Sequence, residues 1–135
     1  MNKKFMLEAI KQAKKAYKND EVPVGAVIVK DNIIIAKSYN KIEKNQDSTN
    51  HAEINAIKSA SKKLKNWRLI DCDLYVTLEP CEMCKGAIKN SRIDNVYYLV
   101  SKKQDITQKT LYKSIDIYKT EYLELLQTFF KEKRK

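Results

Sequence analysis

Two short motifs contain the residue types that bind metals and transfer protons. His51, the only histidine in the chain, is followed two positions later by Glu53 in "HAE", and Cys81 and Cys84 follow a proline in "EPCEMC". Cysteines three positions apart lie on one face of a helix, so both sulfurs can reach one ion. A helix start also favours the thiolate, which is the form that binds metal. One imidazole and two thiolates form a ligand set that suits zinc.

The number of available ligands indicates what kind of zinc site this would be. Structural zinc sites have four protein ligands, whereas catalytic sites have three and leave one position for water. The only other cysteine, Cys72, stands at the start of a predicted strand that would carry it about 20 Å from Cys81. We interpret Cys72 as a small core residue. The sequence therefore predicts a catalytic site made of His51, Cys81 and Cys84, with one Zn²⁺ ion as cofactor.

Glu53 is the candidate for proton transfer at this site. Zinc lowers the pKa of a bound water to about 7. Hydrolytic attack on an amidine-like ring carbon also needs a group that takes the water proton and passes it to the ring nitrogen. Glu53 is two residues from a ligand, so it can lie beside the metal without binding it. Glu79 and Glu82 also flank the cysteines, and we interpret each of them as a surface or turn carboxylate.

A redox role for the cysteine pair is the alternative to a metal site. Redox Cys-x-x-Cys pairs normally follow the first strand of a thioredoxin-like fold. Here the pair comes late in the chain and directly after Glu79-Pro80. The combination of H-x-E with a later P-C-x-x-C is much more specific than either motif alone, and it favours zinc.

Hydrophobic periodicity predicts the elements that position these motifs. The predicted elements are a helix through about residue 18, strands at 24–29 and 33–39 joined by a hairpin turn at Asp31-Asn32, a loop at 41–50, a helix from His51 to about Lys65, a strand at 73–78, a helix at 81–90, a strand at 94–100, a short candidate strand at Ile115 and Ile117, and a helix at 121–133 with Thr120 as its N-cap. Alternation of strands and helices in the middle of the chain predicts parallel strands covered by helices, and the hairpin makes the sheet mixed.

Length and composition limit the class of protein. A chain of 135 residues is expected to form one domain, residues 1–135. No apolar run approaches the roughly 18 residues of a membrane span, and the N-terminus reads as an amphipathic helix instead of a signal peptide. Three cysteines make a disulfide framework improbable and predict a cytoplasmic location. The net charge of +10 suggests nucleic acid as a partner. A strongly AT-biased genome, which favours lysine codons, would also produce this charge.

The joint H-x-E and P-C-x-x-C pattern resembles the signature of the zinc-dependent cytidine deaminase superfamily. Within it, the chain resembles the bacterial tRNA-specific adenosine deaminases, which convert the wobble adenosine of an arginine tRNA anticodon to inosine. The resemblance includes "EVPVGAVIV", "HAEINAI" and "NWRLIDCDLYVTLEPCEMCKGAI" and covers residues 5–98 well. It implies an α/β fold in which a mixed five-stranded sheet lies between helices as a three-layer α/β/α sandwich.

The resemblance also implies roles for individual residues. By position, it makes three residues the zinc ligands and one the proton shuttle: His51, Cys81, Cys84 and Glu53. It implies that the backbone at Ala52, together with Asn40, holds the flipped base and its ribose, with Val24 on the pocket wall. Members of the family are homodimers in which both subunits hold the tRNA anticodon stem-loop, so both partners are expected here.

The sequence departs from the family after Tyr98. Relatives continue with a glycine-rich stretch that borders the substrate, whereas this chain is shorter there and has no glycine beyond Gly86. Ser48 and Asn50 also replace a common proline and a small residue. Two alternatives therefore stay open: a deaminase of free cytosine, guanine or a nucleoside, and a non-catalytic RNA-binding protein with a deaminase fold. The basic charge favours RNA over the first, and the intact Glu53 argues against the second.

Overall fold

The structure is a computed structural model that describes residues 2–101, 112–116 and 118–133. The elements are α1 (Lys3–Lys18), β1 (Gly25–Lys30), β2 (Ile33–Tyr39), α2 (Ile42–Asn45), α3 (Ala52–Leu64), β3 (Cys72–Leu78), α4 (Glu82–Asn90), β4 (Asn95–Val100), β5 (Tyr112–Ser114) and α5 (Lys119–Lys133). Within the described ranges, none of the helices has the length and hydrophobicity needed to cross a bilayer.

The strands form one mixed sheet in the order β2-β1-β3-β4-β5. β1 pairs antiparallel with both β2 and β3, while β3, β4 and β5 run parallel to one another. The predicted hairpin joins β1 to β2: Asp31 and Asn32 have φ values of 52° and 61°, as a two-residue type I′ turn requires. The predicted mixed five-stranded sheet is therefore confirmed.

Helices cover both faces of the sheet. On one face, α3 packs over β1 and β2 with α4 beside it, and Ala26 and Ile28 of β1 lie in this core. On the other face, α1 packs over β1 and α5 packs over β4, and the alternate residues Val27 and Val29 lie in this second core. Successive side chains of a strand point to opposite faces, so β1 contributes to both cores. The three-layer α/β/α architecture is confirmed.

α1 lies unusually close to β1. A Cβ atom placed on Gly25 would lie 2.0 Å from the Ala9 carbonyl oxygen and 2.5 Å from the Ala13 nitrogen. Ala9 and Ala13 are both fully buried, so the contact is formed between small residues and backbone. Only glycine leaves room for the helix at this point of the sheet.

The region predicted as a loop at 41–50 contains the short helix α2. Its start has no local N-cap, because Lys41 makes no side-chain cap. The cap comes from Glu21, which is 2% exposed and whose carboxylate accepts the backbone N–H groups of Glu43 and Lys44 at 3.0 and 2.8 Å. A carboxylate at a helix start is favourable, but this one lies more than twenty positions earlier in the sequence and could not be assigned from local signals.

The C-terminal predictions also differ from the structure. β5 covers Tyr112–Ser114, while Ile115 donates its N–H to the Tyr98 carbonyl and buries its side chain in the core under α1 and α5. Ile117 and the altered segment at 102–111 lie outside the described residues. α5 begins at Lys119, so the prediction that Thr120 is the N-cap is wrong. The turn before α5 instead uses Tyr118, with φ of 65°.

Candidate active site

The motifs predicted to bind metal lie at the starts of two neighbouring helices. His51 is the N-cap of α3 and Cys81 is the N-cap of α4, and neither side chain caps its own helix. Instead, the imidazole and the thiol face each other across the gap between the helices. Cys84 is in the first turn of α4 and is fully buried. The structure therefore brings the three predicted ligands together.

The distances among the three ligand atoms fit a tetrahedral zinc ion. The Sγ atoms of Cys81 and Cys84 lie 3.6 and 3.5 Å from Nδ1 of His51, and all three atoms are within 4.8 Å of one another. Tetrahedral bonds of about 2.3 Å to sulfur and about 2.05 Å to nitrogen place sulfur and nitrogen about 3.6 Å apart. Cys72 is not in this group, since it is buried in the core beneath α3 and α4, as predicted.

The protonation of Cys84 differs from the expectation for a helix start. Burial raises the pKa of the Cys84 thiol far above its usual range, and the nearby Glu53 and Cys81 raise this pKa further. Burial therefore opposes the preference of a helix start for the thiolate at Cys84. Metal binding must displace the thiol proton, so it is coupled to proton release.

Glu53 lies beside the ligands in the first turn of α3. It is 3% exposed and lines the same cavity as His51 and Cys81. Its carboxylate accepts a hydrogen bond from the Cys84 thiol, which is one cause of the raised pKa of that thiol. A buried carboxylate beside a metal site and facing a cavity is suited to proton transfer. The structure places Glu53 where this role requires it, and the role itself stays a prediction.

A cavity of about 270 Å³ opens above the ligands. Its lining is Val22, Val24, Asn40, Ile42, His51, Glu53, Leu78, Glu79, Cys81 and Phe130. The lining combines apolar side chains with polar and ionisable ones, as small-ligand sites do, and the volume is close to the lower end for such pockets. Val24 is on the wall, where it was predicted.

Asn40 and Ala52, the two predicted contacts of the base and ribose, are bonded to each other. The Asn40 side chain is 5% exposed; its Oδ1 accepts the Ala52 N–H at 2.7 Å, and its Nδ2 donates to the Val22 carbonyl at 3.2 Å. Asn40 thus satisfies a backbone donor in the first turn of α3. It also joins the end of β2 to the helix that carries His51 and Glu53.

Glu79 corrects the sequence interpretation. It was expected to be a surface or turn carboxylate, but it is 5% exposed and lines the cavity. Its carboxylate accepts hydrogen bonds from Lys85 Nζ at 3.2 Å and Ser101 Oγ at 2.7 Å. Glu79 therefore ties the Cys81 loop to the end of β4. In the sequence, only its position directly after β3 indicated that Glu79 could lie at the site.

Phe130 is another cavity residue that the sequence analysis missed, as are Val22, Ile42 and Leu78. It belongs to α5, the last helix, and it is 43% exposed. Its place in the cavity depends on how α5 packs against the rest of the molecule, so the sequence did not identify it as a cavity residue.

A mixed sheet between helical layers, with a His/Cys/Cys group and a buried glutamate at one cavity, defines a cytidine deaminase-like enzyme. The chain belongs to the MafB19-like deaminase family, whose profile matches residues 1–134. Among curated proteins, it is 41% identical over 147 residues to the tRNA-specific adenosine deaminase of Aquifex aeolicus, covering 99% of this chain and 97% of that protein. It is also 54% identical over 94 residues to the chloroplastic tRNA(adenine(34)) deaminase of Arabidopsis thaliana, covering 70% of this chain but only 7% of that longer protein.

Two solved structures are similar over nearly the whole chain. One comes from a study of A-to-I editing by tRNA:A34 deaminases at the wobble position of transfer RNA, with a TM-score of 0.84, 37% identity and coverage of 93% of this chain and 100% of that one. The other is a guanine deaminase from Bacillus subtilis, with a TM-score of 0.71, 32% identity and coverage of 97% and 95%.

Proposed function

We propose that this chain hydrolyses adenosine to inosine in tRNA, releasing ammonia, with zinc as its cofactor. The observation that carries the proposal is the group of His51, Cys81 and Cys84 beside the buried Glu53 at one cavity. The full-length relatives named tRNA-specific adenosine deaminase support the substrate. We further propose that residues 1–135 act as one deaminase domain and that the target is the wobble adenosine of an arginine tRNA.

The chain's own residues divide the chemistry between metal binding and proton transfer. His51, Cys81 and Cys84 hold the zinc, which when bound supplies the Lewis acid that makes water nucleophilic at neutral pH. Glu53 takes a proton from the attacking water and delivers it to N1 of the adenine ring. It then takes the second proton and delivers it to the departing amine, which leaves as ammonia. The products are inosine and ammonia, so atoms and charge balance.

The polar and apolar walls of the cavity hold the base. Asn40 presents its amide beside the first turn of α3, so it can contact the polar edge of the base and the ribose, together with the backbone at Ala52. Val24 packs against a face of the base from the apolar wall. The bond between Asn40 and Ala52 engages the Ala52 N–H and fixes the buried Asn40 relative to the helix that carries Glu53.

The distribution of charge suits an RNA substrate. α3 and the turn after it carry exposed lysines that take part in none of the ion pairs among the described residues: Lys58, Lys62, Lys63 and Lys65. Lysines of this kind neutralise phosphates, and their release of counterions makes binding depend on salt. We also propose a homodimer in which both subunits hold the anticodon stem-loop, and a cytoplasmic location.

The test is inosine formation in an arginine tRNA with an ACG anticodon. Zinc-loaded protein is incubated with the transcript, and inosine at the wobble position is measured by sequencing or by nucleoside mass spectrometry. The matched control is Glu53→Gln, and a known tRNA deaminase shows that the transcript is competent. Absence of inosine with the zinc-loaded wild-type protein, while the known enzyme works, contradicts the proposal. Inosine formation that persists in Glu53→Gln contradicts the role of Glu53.

Deamination of a free base is the second candidate, because the chain is similar over nearly its full length to a guanine deaminase. Ammonia release from guanine, cytosine or a nucleoside would then be independent of salt. For an RNA substrate, KM should rise steeply between 50 and about 200 mM salt. Turnover of free guanine without any inosine formation in tRNA would favour this candidate over the RNA substrate.

A further inference from the structure

Lys85 and Glu79 form the most buried ion pair among the described residues. The Lys85 Nζ and Glu79 Oε2 atoms lie 3.2 Å apart, and the two side chains are 22% and 6% exposed. In each of the other ion pairs within the described ranges, at least one side chain is 47% exposed or more. Exposed pairs contribute little, whereas removing one partner of a buried pair is strongly unfavourable. This pair is therefore expected to hold its two segments in a fixed arrangement.

The ion pair joins the chain on the two sides of the Cys81 ligand. Glu79 lies two residues before Cys81. Lys85 lies four residues after Cys81, in the first turn of α4, and donates its backbone N–H to the Cys81 carbonyl at 2.8 Å. Cys81 is the N-cap of α4, but its side chain makes no capping hydrogen bond. A thiol that binds metal is not available to cap the helix, so the entry of the chain into α4 must be fixed by other groups.

Three further contacts hold Glu79 and Lys85 against the sheet. The backbone N–H of Glu79 donates to the Val100 carbonyl at 2.8 Å, and its Oε1 accepts a hydrogen bond from the Ser101 hydroxyl at 2.7 Å. The Lys85 ammonium lies 5.2 Å from the centre of the Tyr112 ring, which is within the range of a cation–π contact. The ion pair thus connects the start of α4 to β4 and β5.

The other helix that carries a predicted ligand has a comparable support. His51 is the N-cap of α3 and also makes no side-chain cap. The buried Asn40 side chain accepts the Ala52 N–H instead. In both helices the N-cap side chain is directed to the group of ligand atoms, while a buried polar side chain from the neighbouring chain segment holds the helix start.

We propose that Lys85 is a positioning residue for the metal site. Its ammonium holds the Glu79 carboxylate, which fixes the segment before α4 and so directs the Cys81 thiolate towards the ion. Outer groups that orient metal ligands typically change metal affinity by about 10- to 100-fold when they are removed. The inference rests on the zinc site of the proposed function and is independent of the RNA substrate.

The first test is the zinc affinity of Lys85→Met, measured by competition with a chelator of known affinity. Methionine keeps most of the apolar stem but removes the cation that lies 3.2 Å from the buried carboxylate. The Glu79 side chain is then expected to turn towards water, because burying a charge is costly, and to move the segment that carries Cys81. We expect the dissociation constant for zinc to rise by about 10- to 100-fold.

The matched control is Lys89→Met. Lys89 lies one turn later on α4, is exposed, and belongs to none of the ion pairs among the described residues. Its replacement changes the net charge by the same amount, so it should keep the wild-type zinc affinity. Wild-type affinity in both variants overturns the inference. An equal loss in both variants also overturns it, because the effect would then come from net charge alone.

A double-mutant cycle tests whether Lys85 acts through Glu79. Glu79→Gln keeps the size of the side chain and removes its charge, so it should itself lower zinc affinity. In the Glu79→Gln background, Lys85→Met should cause little further loss, because both single variants break the same pair. Two losses that add independently contradict the proposed route through Glu79 and overturn the inference.

Replacing zinc with Co²⁺ separates positioning from a general loss of stability. The visible absorption of Co²⁺ bound to thiolates depends on the arrangement of its ligands. At equal Co²⁺ content, Lys85→Met should change this spectrum, and Lys85→Arg, which keeps the cation, should restore it. If Lys85→Arg behaves like Lys85→Met, the cation does not position the ligand and the inference is wrong. A lower melting temperature of metal-free Lys85→Met, with unchanged zinc affinity and spectrum, shows a structural role only and also overturns it.

The proposed function is tested separately by inosine formation with the wild-type protein. Absence of inosine together with the expected zinc affinities contradicts the RNA substrate and supports the role of Lys85. Inosine formation together with wild-type zinc affinity in Lys85→Met supports the proposed function and overturns the role of Lys85. Failure of one is therefore distinguishable from failure of the other.

Discussion

Replacing Glu53 with glutamine should abolish turnover while leaving the metal site intact. Glutamine has nearly the same shape as glutamate, but it cannot take a proton from water. Glu53 is not one of the three ligand-atom donors, so zinc content should stay at one ion per chain. Because the side chain keeps its size, the burial of the site should also be unchanged.

The structure sets the size of the expected loss. General acid–base groups contribute about 10²- to 10⁴-fold to a rate, and Glu53 serves both proton transfers. The other carboxylate at the cavity, Glu79, already accepts hydrogen bonds from Lys85 and Ser101, so it is poorly placed to substitute. We therefore expect kcat to fall by about 10³- to 10⁴-fold, or about 4 to 5.5 kcal/mol of transition-state stabilisation.

Single-turnover kinetics measures this loss directly. Excess zinc-loaded protein is mixed with labelled anticodon stem-loop, inosine is quantified over time, and zinc is measured in the same sample by mass spectrometry. Binding of the stem-loop should change by less than about threefold, because the effect is on the transition state. A variant with full zinc and a rate within tenfold of wild type refutes the role of Glu53. A variant that loses zinc refutes the division between ligand and proton shuttle.

Three further predictions concern the metal and the packing of α1. Cys84→Ala should lose zinc along with activity, since it removes one of three ligands, and zinc analysis of the purified protein measures this. Zinc should dissociate as the pH falls, because protons compete for the thiolates and burial raises the pKa of Cys84. A chromogenic chelator that reports released zinc from pH 8 to about 5 measures this dissociation. Zinc retention that stays unchanged across that range contradicts the prediction. Gly25→Ala should destabilise the fold by about 1–3 kcal/mol through overpacking, because its Cβ would lie 2.0 Å from the Ala9 oxygen. Gly86→Ala is the control in thermal denaturation: nothing lies within 4 Å of a Cβ there, so it should stabilise α4 by about 0.5–1 kcal/mol.

Elements that depend on local patterns were predictable. The Asp31-Asn32 turn, the start of α3 at His51 and the start of α4 at Cys81 agree with the structure, because turn residues and hydrophobic periodicity act over a few positions. The ligand group was predictable for a related reason. Each motif stands at a helix start, and the residue types that can bind zinc were too few to leave many combinations.

Elements that depend on distant contacts were not predictable in the same way. α2 exists because the carboxylate of Glu21 caps it, and β5 lies before Ile115 because that side chain turns into the core. Glu79 is buried because Lys85 and Ser101 meet it from two other elements. Deciding partners such as Glu21 for α2 and Ser101 for Glu79 are remote in sequence, so no local pattern could identify them.

The sequence by itself determined the chemistry of this protein, because histidine, cysteine and glutamate at these spacings have few other uses together. Only the tertiary structure decided the shape of the site in which that chemistry takes place. The antiparallel and parallel pairings of β1, β3 and β4 bring the two helix starts side by side, so that three ligand atoms meet. Packing of α5 against α1 and Pro23 then adds Phe130 to the cavity. Such contacts depend on how buried surfaces fit together across the whole chain, which a one-dimensional pattern does not contain.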